Sequence, residues 1–195
     1  SIDEVLSEAL HAVRAHLRMD VAFIGEFREG LRVFRHIEGS HRSMALTVGE
    51  GGPLEESYCQ RIIDGRLPEL IRDAPEFKEA LALPETRSIP IGAHMSVPIR
   101  FSDGSLYRTF CCFSRQADQS LDDTDLGAMR LFARFAGGLL ERHALSAQQR
   151  SEKSERIRAV IQRRDFWMVY QPIFHLAHNV VVGYEALARF RPEPY

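Results

Sequence analysis

The sequence predicts a mixed α+β fold, an antiparallel sheet flanked by helices, followed by a long helix and then more strand. Three observations lead there: a helical apolar stripe at the start, two pairs of strand-like runs joined by short turns, and a long run after Ser120 that keeps one apolar face. At 195 residues, with 45% hydrophobic and 27% charged, the chain has the composition of a folded protein. That length suits one ordinary domain and part of a second.

Val5, Leu6, Leu10, Val13 and Leu17 fall on one side of a helix expected over Asp3–Arg18. Strand-like runs follow at Val21–Phe27 and Leu31–Ile37, the second with Leu31, Val33 and Ile37 on one face. Arg28, Glu29 and Gly30 turn the chain between them, which predicts a hairpin. Gly49, Gly51, Gly52 and Pro53 break the pattern, and Leu54–Ile63 reads as a short helix ending at Asp64-Gly65. Next come a short strand over Leu67–Ile71 and a brief helix over Pro75–Leu83, bounded by Pro84. Met95–Ile99 and Leu106–Phe113, joined through Ser102-Asp103-Gly104-Ser105, predict a second hairpin.

Ser120 with Asp123 resembles a capping box and opens the long helix. Leu126, Met129, Phe132, Ala133, Ala136, Leu139 and Leu140 keep one side apolar. Gly137 and Gly138 interrupt it, marking close packing or a bend. From Ser146 to Arg156 the chain is almost wholly polar, which places a domain boundary. Beyond it, Phe166–Ile173 and Asn179–Phe190 read as strands around the turn His175–His178.

A net charge of −2 offers no overall attraction to a nucleic-acid polymer or an anionic membrane. No apolar run is long enough to span a bilayer, and the first residues lack the pattern of a signal peptide, so a cytoplasmic protein is expected. Cys59, Cys111 and Cys112 are too few and too poorly spaced for a disulfide framework or a four-ligand zinc site. Cys111 and Cys112 should point to opposite faces of a strand as small core residues.

Gly49-Glu50-Gly51-Gly52-Pro53-Leu54, Asp64-Gly65-Arg66-Leu67-Pro68 and Met95-Ser96-Val97-Pro98-Ile99 together resemble the recurring landmarks of the GAF family. The similarity covers residues 1–145 and implies a sensory domain with a small-molecule pocket or a dimerisation surface. The asparagine that a cyclic-nucleotide-binding GAF signature requires is missing: the sole asparagine, Asn179, lies outside the domain. Bilin-binding relatives carry a Cys-His pair ahead of the Val-Pro-Ile strand, and Ser88–His94 holds no cysteine. The pocket candidates are Tyr58, Cys59, His94 and Tyr107. His94 is either a ligand to haem iron or another metal or a hydrogen-bonded structural histidine. Cys59 is an alternative thioether site, a redox-sensitive thiol or a helix-packing thiol. His11, His16, His36, His41 and His143 read as surface or sheet residues.

Tyr170-Gln171-Pro172-Ile173, then Gly183-Tyr184-Glu185-Ala186-Leu187 and Arg189, closely resemble the start of EAL-domain phosphodiesterases. This resemblance implies a TIM-like barrel in which Mg or Mn activates water to open one phosphodiester of cyclic di-GMP. It assigns Glu185 as a metal ligand and Gln171, Leu187 and Arg189 to the ligand site, where the forked guanidinium suits phosphate. The plainer reading of Glu185 is an edge-strand acid. Such a barrel takes roughly 250 residues, so a truncated EAL start over 166–195 is expected to be inactive alone.

The expected organisation is thus a GAF-type domain over 1–145, a helical linker over 146–165 and the EAL start over 166–195. Expected partners are cyclic di-GMP for the longer parent protein, a small molecule for the GAF domain, and a second copy in a homodimer. The rival expectations are a degenerate EAL receptor and a ligand-free dimerisation module.

Overall fold

The computed structural model describes residues 2–164 and 166–190, and of His41 the backbone only. Asp165 of the expected linker and residues 191–195 of the expected EAL start lie outside the described residues. The chain divides into two compact units, Ser1–His143 and Ala144–Tyr195.

In the first unit, α1 (Ile2–Leu17) buries the predicted stripe of Leu6, Leu10, Val13 and Leu17. The first hairpin is β1 (Val21–Arg28) and β2 (Leu31–Gly39), followed by the short β3 (Gly51–Pro53). Then come α2 (Tyr58–Ile63), β4 (Leu70–Ile71), α3 (Lys78–Leu81) and α4 (Pro84–Ser88). The second hairpin, β5 (Ala93–Arg100) and β6 (Leu106–Ser114), precedes α5 (Asp123–Arg163). The six strands form one sheet in the order β3-β2-β1-β6-β5-β4, with every neighbouring pair antiparallel.

Pairing of β1 with β6 joins the two hairpins and leaves β1 in the middle of the sheet, covered on both sides. Alternation then sends its residues to two cores. Ala22 and Ile24 meet α1 and α5 together with Met95, Val97, Phe110 and Cys112. Val21 and Phe23 meet α2 and its neighbours on the other face, with Phe34, Ile71, Cys111 and Phe113. The adjacent cysteines do fall on opposite faces, as strand geometry requires.

Local chemistry shifts several predicted boundaries. The helix expected over Leu54–Ile63 is interrupted at Ser57, whose hydroxyl accepts the Gln60 N–H at 3.2 Å and starts α2 afresh. Pro84 opens a helix as well as closing one: it occupies the first turn of α4, where its missing N–H has no cost. The strand expected over Leu67–Ile71 is confined to β4, and the helix expected over Pro75–Leu83 reduces to a 3-10 turn, Ala74–Glu76, followed by α3. The capping box sits two residues later than expected. Asp122 accepts the N–H groups of Thr124 and Asp125, and Asp125 accepts that of Asp122, while Ser120 bonds back to Asp118.

One predicted face is reversed. In β2 the residues turned into the core are Arg32 and Phe34, with Leu31 exposed and Val33 half-buried. A bulge opposite Ile24/Gly25 pairs Ile24 with His36 and Gly25 with Phe34, so Ile37 returns to the buried side. Gly51 is what allows β3 to close on this strand, since a Cβ there would overlap the backbone carbonyl of Arg32.

Of the two glycines in α5, Gly137 packs against the carbonyl of Arg100, where a Cβ would come within 2.6 Å, whereas Gly138 faces open space apart from Arg142. Close packing is therefore the role of Gly137. Among the described residues no helix is long and apolar enough to cross a membrane.

In the second unit, α5 runs on through the polar stretch to Arg163, and β7 (Phe166–His175) pairs antiparallel with β8 (Val180–Phe190). A connection as short as Leu176–Asn179 permits only antiparallel pairing, whereas strands of a regular α/β barrel run parallel with a helix between them. The hairpin thus departs from the regular barrel repeat. Both its faces carry exposed apolar side chains, among them Trp167, Tyr170, Ile173, Val182 and Tyr184.

Candidate functional site

The densest group of buried polar side chains lies on the α2 face of the sheet. Alternation along β5 puts His94 and Ser96 there, along β6 Thr109 and Cys111, and the bulged β2 adds Arg32; all five are buried. Tyr58 and Cys59 descend from α2, and Glu85 and Thr86 from α4.

Arg32 is the charged centre. Its Nη2 lies 2.6 Å from Glu85 Oε1, and its guanidinium stands over the Phe34 ring, 4.2 Å from the centroid. With 6% of the residue exposed, Arg32 owes its burial to this partner and these rings. Glu85 feels opposing effects. Burial raises its carboxyl above the ordinary range, and Arg32 works against that rise.

His94 stacks on Tyr58 with ring centroids 4.5 Å apart and planes 24° from parallel. Burial first, and the charge of Arg32 second, push its pKa down to about 3, so it is a neutral imidazole. The Tyr58 hydroxyl meets Thr86 Oγ1 at 2.6 Å, and Thr86 in turn donates to the carbonyl of Ala80. Burial raises the phenol to about 12, which keeps it a donor. Cys59 Sγ lies 3.4 Å from Cys111 Sγ, and Cys111 Sγ lies 3.1 Å from Ser96 Oγ.

Three buried polar atoms in this group have no hydrogen-bond partner: Arg32 Nε, His94 Nδ1 and Thr109 Oγ1. An unmet buried donor or acceptor costs roughly 1–3 kcal/mol. Water or a small polar ligand that met these atoms would recover that cost.

Three of the four predicted pocket residues, Tyr58, Cys59 and His94, are thus brought together. Tyr107 is not. It stacks on Phe101 at 4.2 Å and packs against the opposite core, because the bulge at Ile99/Arg100 displaces it from the alternation of β6. The ring of His94 packs flat on Tyr58. Among the described residues no group of three or more His, Cys, Asp or Glu side chains could hold a metal ion. Arg32, Glu85, Ser96, Thr109 and the partnership of Cys111 with Cys59 were not foreseen. The signal available for Arg32 was its place two residues before Phe34, on the same face of β2.

The EAL-like residues lie on the hairpin. Gln171 is opposite Glu185, Val169 opposite Leu187 and Trp167 opposite Arg189, so Gln171, Glu185, Leu187 and Arg189 share one face. Glu185 is exposed and is the only acid between Phe166 and Phe190. Mg2+ takes about six oxygen ligands, so the described hairpin does not by itself fit the metal that the resemblance implies.

The GAF domain family model matches residues 1–140. No curated protein matches the chain. Among solved structures, the GAF domain of an Acinetobacter phosphoenolpyruvate-protein phosphotransferase superposes with TM-score 0.60 at 14% identity, covering 74% of this chain and 85% of that one. Residues 122 to 287 of a methyl-accepting chemotaxis protein give 0.60 at 21% identity, covering 74% and 92%. A domain of a two-component sensor histidine kinase protein from Sinorhizobium meliloti gives 0.55 at 22% identity, covering 77% and 98%. At these identities the superpositions speak to fold, and they agree with the six-stranded sheet between two helical layers. With its family model spanning residues 1–140, the chain belongs to the GAF domain family.

Proposed function

We propose that this chain is the sensory portion of a cyclic di-GMP phosphodiesterase, with the GAF domain as input and the strands after α5 as the start of an EAL-type catalytic domain. The observation that carries the output half is the hairpin face on which Gln171, Glu185, Leu187 and Arg189 fall together. These are the positions where the EAL resemblance calls for a metal-binding carboxylate and ligand-contacting side chains. Mg or Mn would supply an activated water, and the remaining ligands would come from later barrel strands of a longer protein. Glu185 would then offer one carboxylate to the ion and Arg189 a cation to a phosphate. The buried group around Arg32, His94 and Thr109 supports the input half, because it holds unmet polar atoms that a small ligand can satisfy. The test is metal-dependent hydrolysis of cyclic di-GMP by the full-length protein with and without Glu185→Ala. A protein that binds cyclic di-GMP without turnover would be a degenerate receptor instead.

A second reading, homodimerisation through α5, is favoured by a separate observation. Leu131 and Phe135 are 67% and 51% exposed, and with Leu145 they follow one side of the helix, opposite the buried Met129, Ala133 and Leu140. Sedimentation of the Leu131→Glu/Phe135→Glu variant as a monomer, beside a dimeric parent, is the expected result; a monomeric parent would refute it.

A further inference from the structure

Cys59 and Cys111 come from different layers, α2 and the sheet, and 52 positions apart, yet their sulfurs lie 3.4 Å from each other in the buried polar group. We infer that this pair is an oxidation site, at which hydrogen peroxide converts the two thiols into an intramolecular Cys59–Cys111 disulfide.

Geometry makes the pairing specific. Forming a disulfide of ~2.05 Å from this contact asks the two sulfurs to approach from 3.4 Å. Cys112, the neighbour in sequence, lies on the other face of β6 in the opposite core, so it has no access to Cys59. Chemistry distinguishes the two thiols. The hydrogen bond from Cys111 lowers the Cys59 thiol, and the charge of Arg32 lowers it further, against the effect of burial. Burial and the neighbouring Cys59 hold the Cys111 thiol high. The charge of Arg32 beside Cys59 favours Cys59 as the nucleophile, with Cys111 as the resolving thiol.

The surroundings suit a water-sized oxidant. Thr109 Oγ1 lies beside both sulfurs, and Arg32 Nε and His94 Nδ1 are unpartnered. Hydrogen peroxide offers donors and acceptors much as water does, which is what such atoms accept.

In the first step Cys59 Sγ attacks one peroxide oxygen, the O–O bond breaks, and hydroxide leaves and takes up the Cys59 proton as water. Cys59 is now a sulfenic acid. Cys111 Sγ next attacks that sulfur, the S–O bond breaks, and the departing hydroxide takes the proton Cys111 gives up. Two thiols and one peroxide thus become one disulfide and two waters. The product ties α2, which carries Tyr58, to the sheet strand β6.

The test treats the full chain with a graded excess of hydrogen peroxide under native conditions. Remaining thiols are blocked with N-ethylmaleimide in denaturant, and peptides are mapped by mass spectrometry before and after dithiothreitol. The expected result is a reducible Cys59–Cys111 linked peptide with Cys112 still alkylated. In Cys111→Ser, dimedone should label Cys59 as a sulfenic acid, and in Cys59→Ser, Cys111 should stay unlabelled at the same dose. Circular dichroism shows whether each variant is folded. A bridge that formed only in urea, involved Cys112 or joined two chains would overturn the inference, as would native thiols that outlast peroxide in the folded chain.

Discussion

Arg32 Nη2 meets Glu85 Oε1 at 2.6 Å, joining the central sheet to the short helix α4 across a buried interface. The pair explains how a guanidinium is held among Phe23 and Phe34, and it ties α4 to the sheet beside the Tyr58–Thr86 hydrogen bond. Removing one member of a buried pair leaves the other charge without compensation. Glu85→Ala should therefore cost about 3 kcal/mol in urea unfolding, whereas Arg32→Met/Glu85→Leu should fall within about 1 kcal/mol of the parent. Equal losses in both would show that the charges are not coupled.

His94 predicts a pH dependence whose sign follows from its depressed pKa of about 3. As pH falls through the ordinary histidine value near 6.5, the unfolded chain takes up a proton that the folded chain refuses. The contribution is complete above that value and is lost progressively toward the folded pKa. Between pH 7 and pH 5 the loss should be about 2 kcal/mol. His94→Phe, which keeps a ring against Tyr58, should flatten that part of the stability curve. His36, also held low by burial, remains in the variant and accounts for the slope left over.

The two adjacent glycines of α5 should respond in opposite directions. Gly137→Ala forces a methyl group toward the Arg100 carbonyl, an overpacking expected to cost about 2 kcal/mol. Gly138→Ala meets open space and should gain up to about 1 kcal/mol from helix propensity. Thermal unfolding of the two variants side by side decides the matter, and similar destabilisation in both would contradict the packing assigned to Gly137.

Much of the fold was legible because its signals are local. The stripe Leu6, Leu10, Val13, Leu17 and the turns at Arg28-Glu29-Gly30 and Asp103-Gly104 each specify structure within a few residues. What stayed hidden depends on register and on long-range pairing. A bulge in the β1–β2 pair turned Arg32 inward, where simple alternation had placed Leu31 and Val33. A second bulge took Tyr107 away from the site. Pairing of β1 with β6 put Thr109 and Cys111 across from residues far away in sequence, and no local pattern encodes such a partner. The EAL-like residues were singled out by a family resemblance, and the register of β7 with β8 puts them on one face.

Hydrolysis of cyclic di-GMP by the full-length protein bears most directly on the proposed function. With Mg or Mn present, the account predicts turnover to the linear dinucleotide, abolition of turnover by chelation, and a loss of about a hundredfold or more in Glu185→Ala, at or beyond the roughly 10–100-fold that follows loss of a metal ligand's supporting partner. Turnover undiminished by Glu185→Ala, or no turnover with any divalent metal in a folded protein, would contradict it.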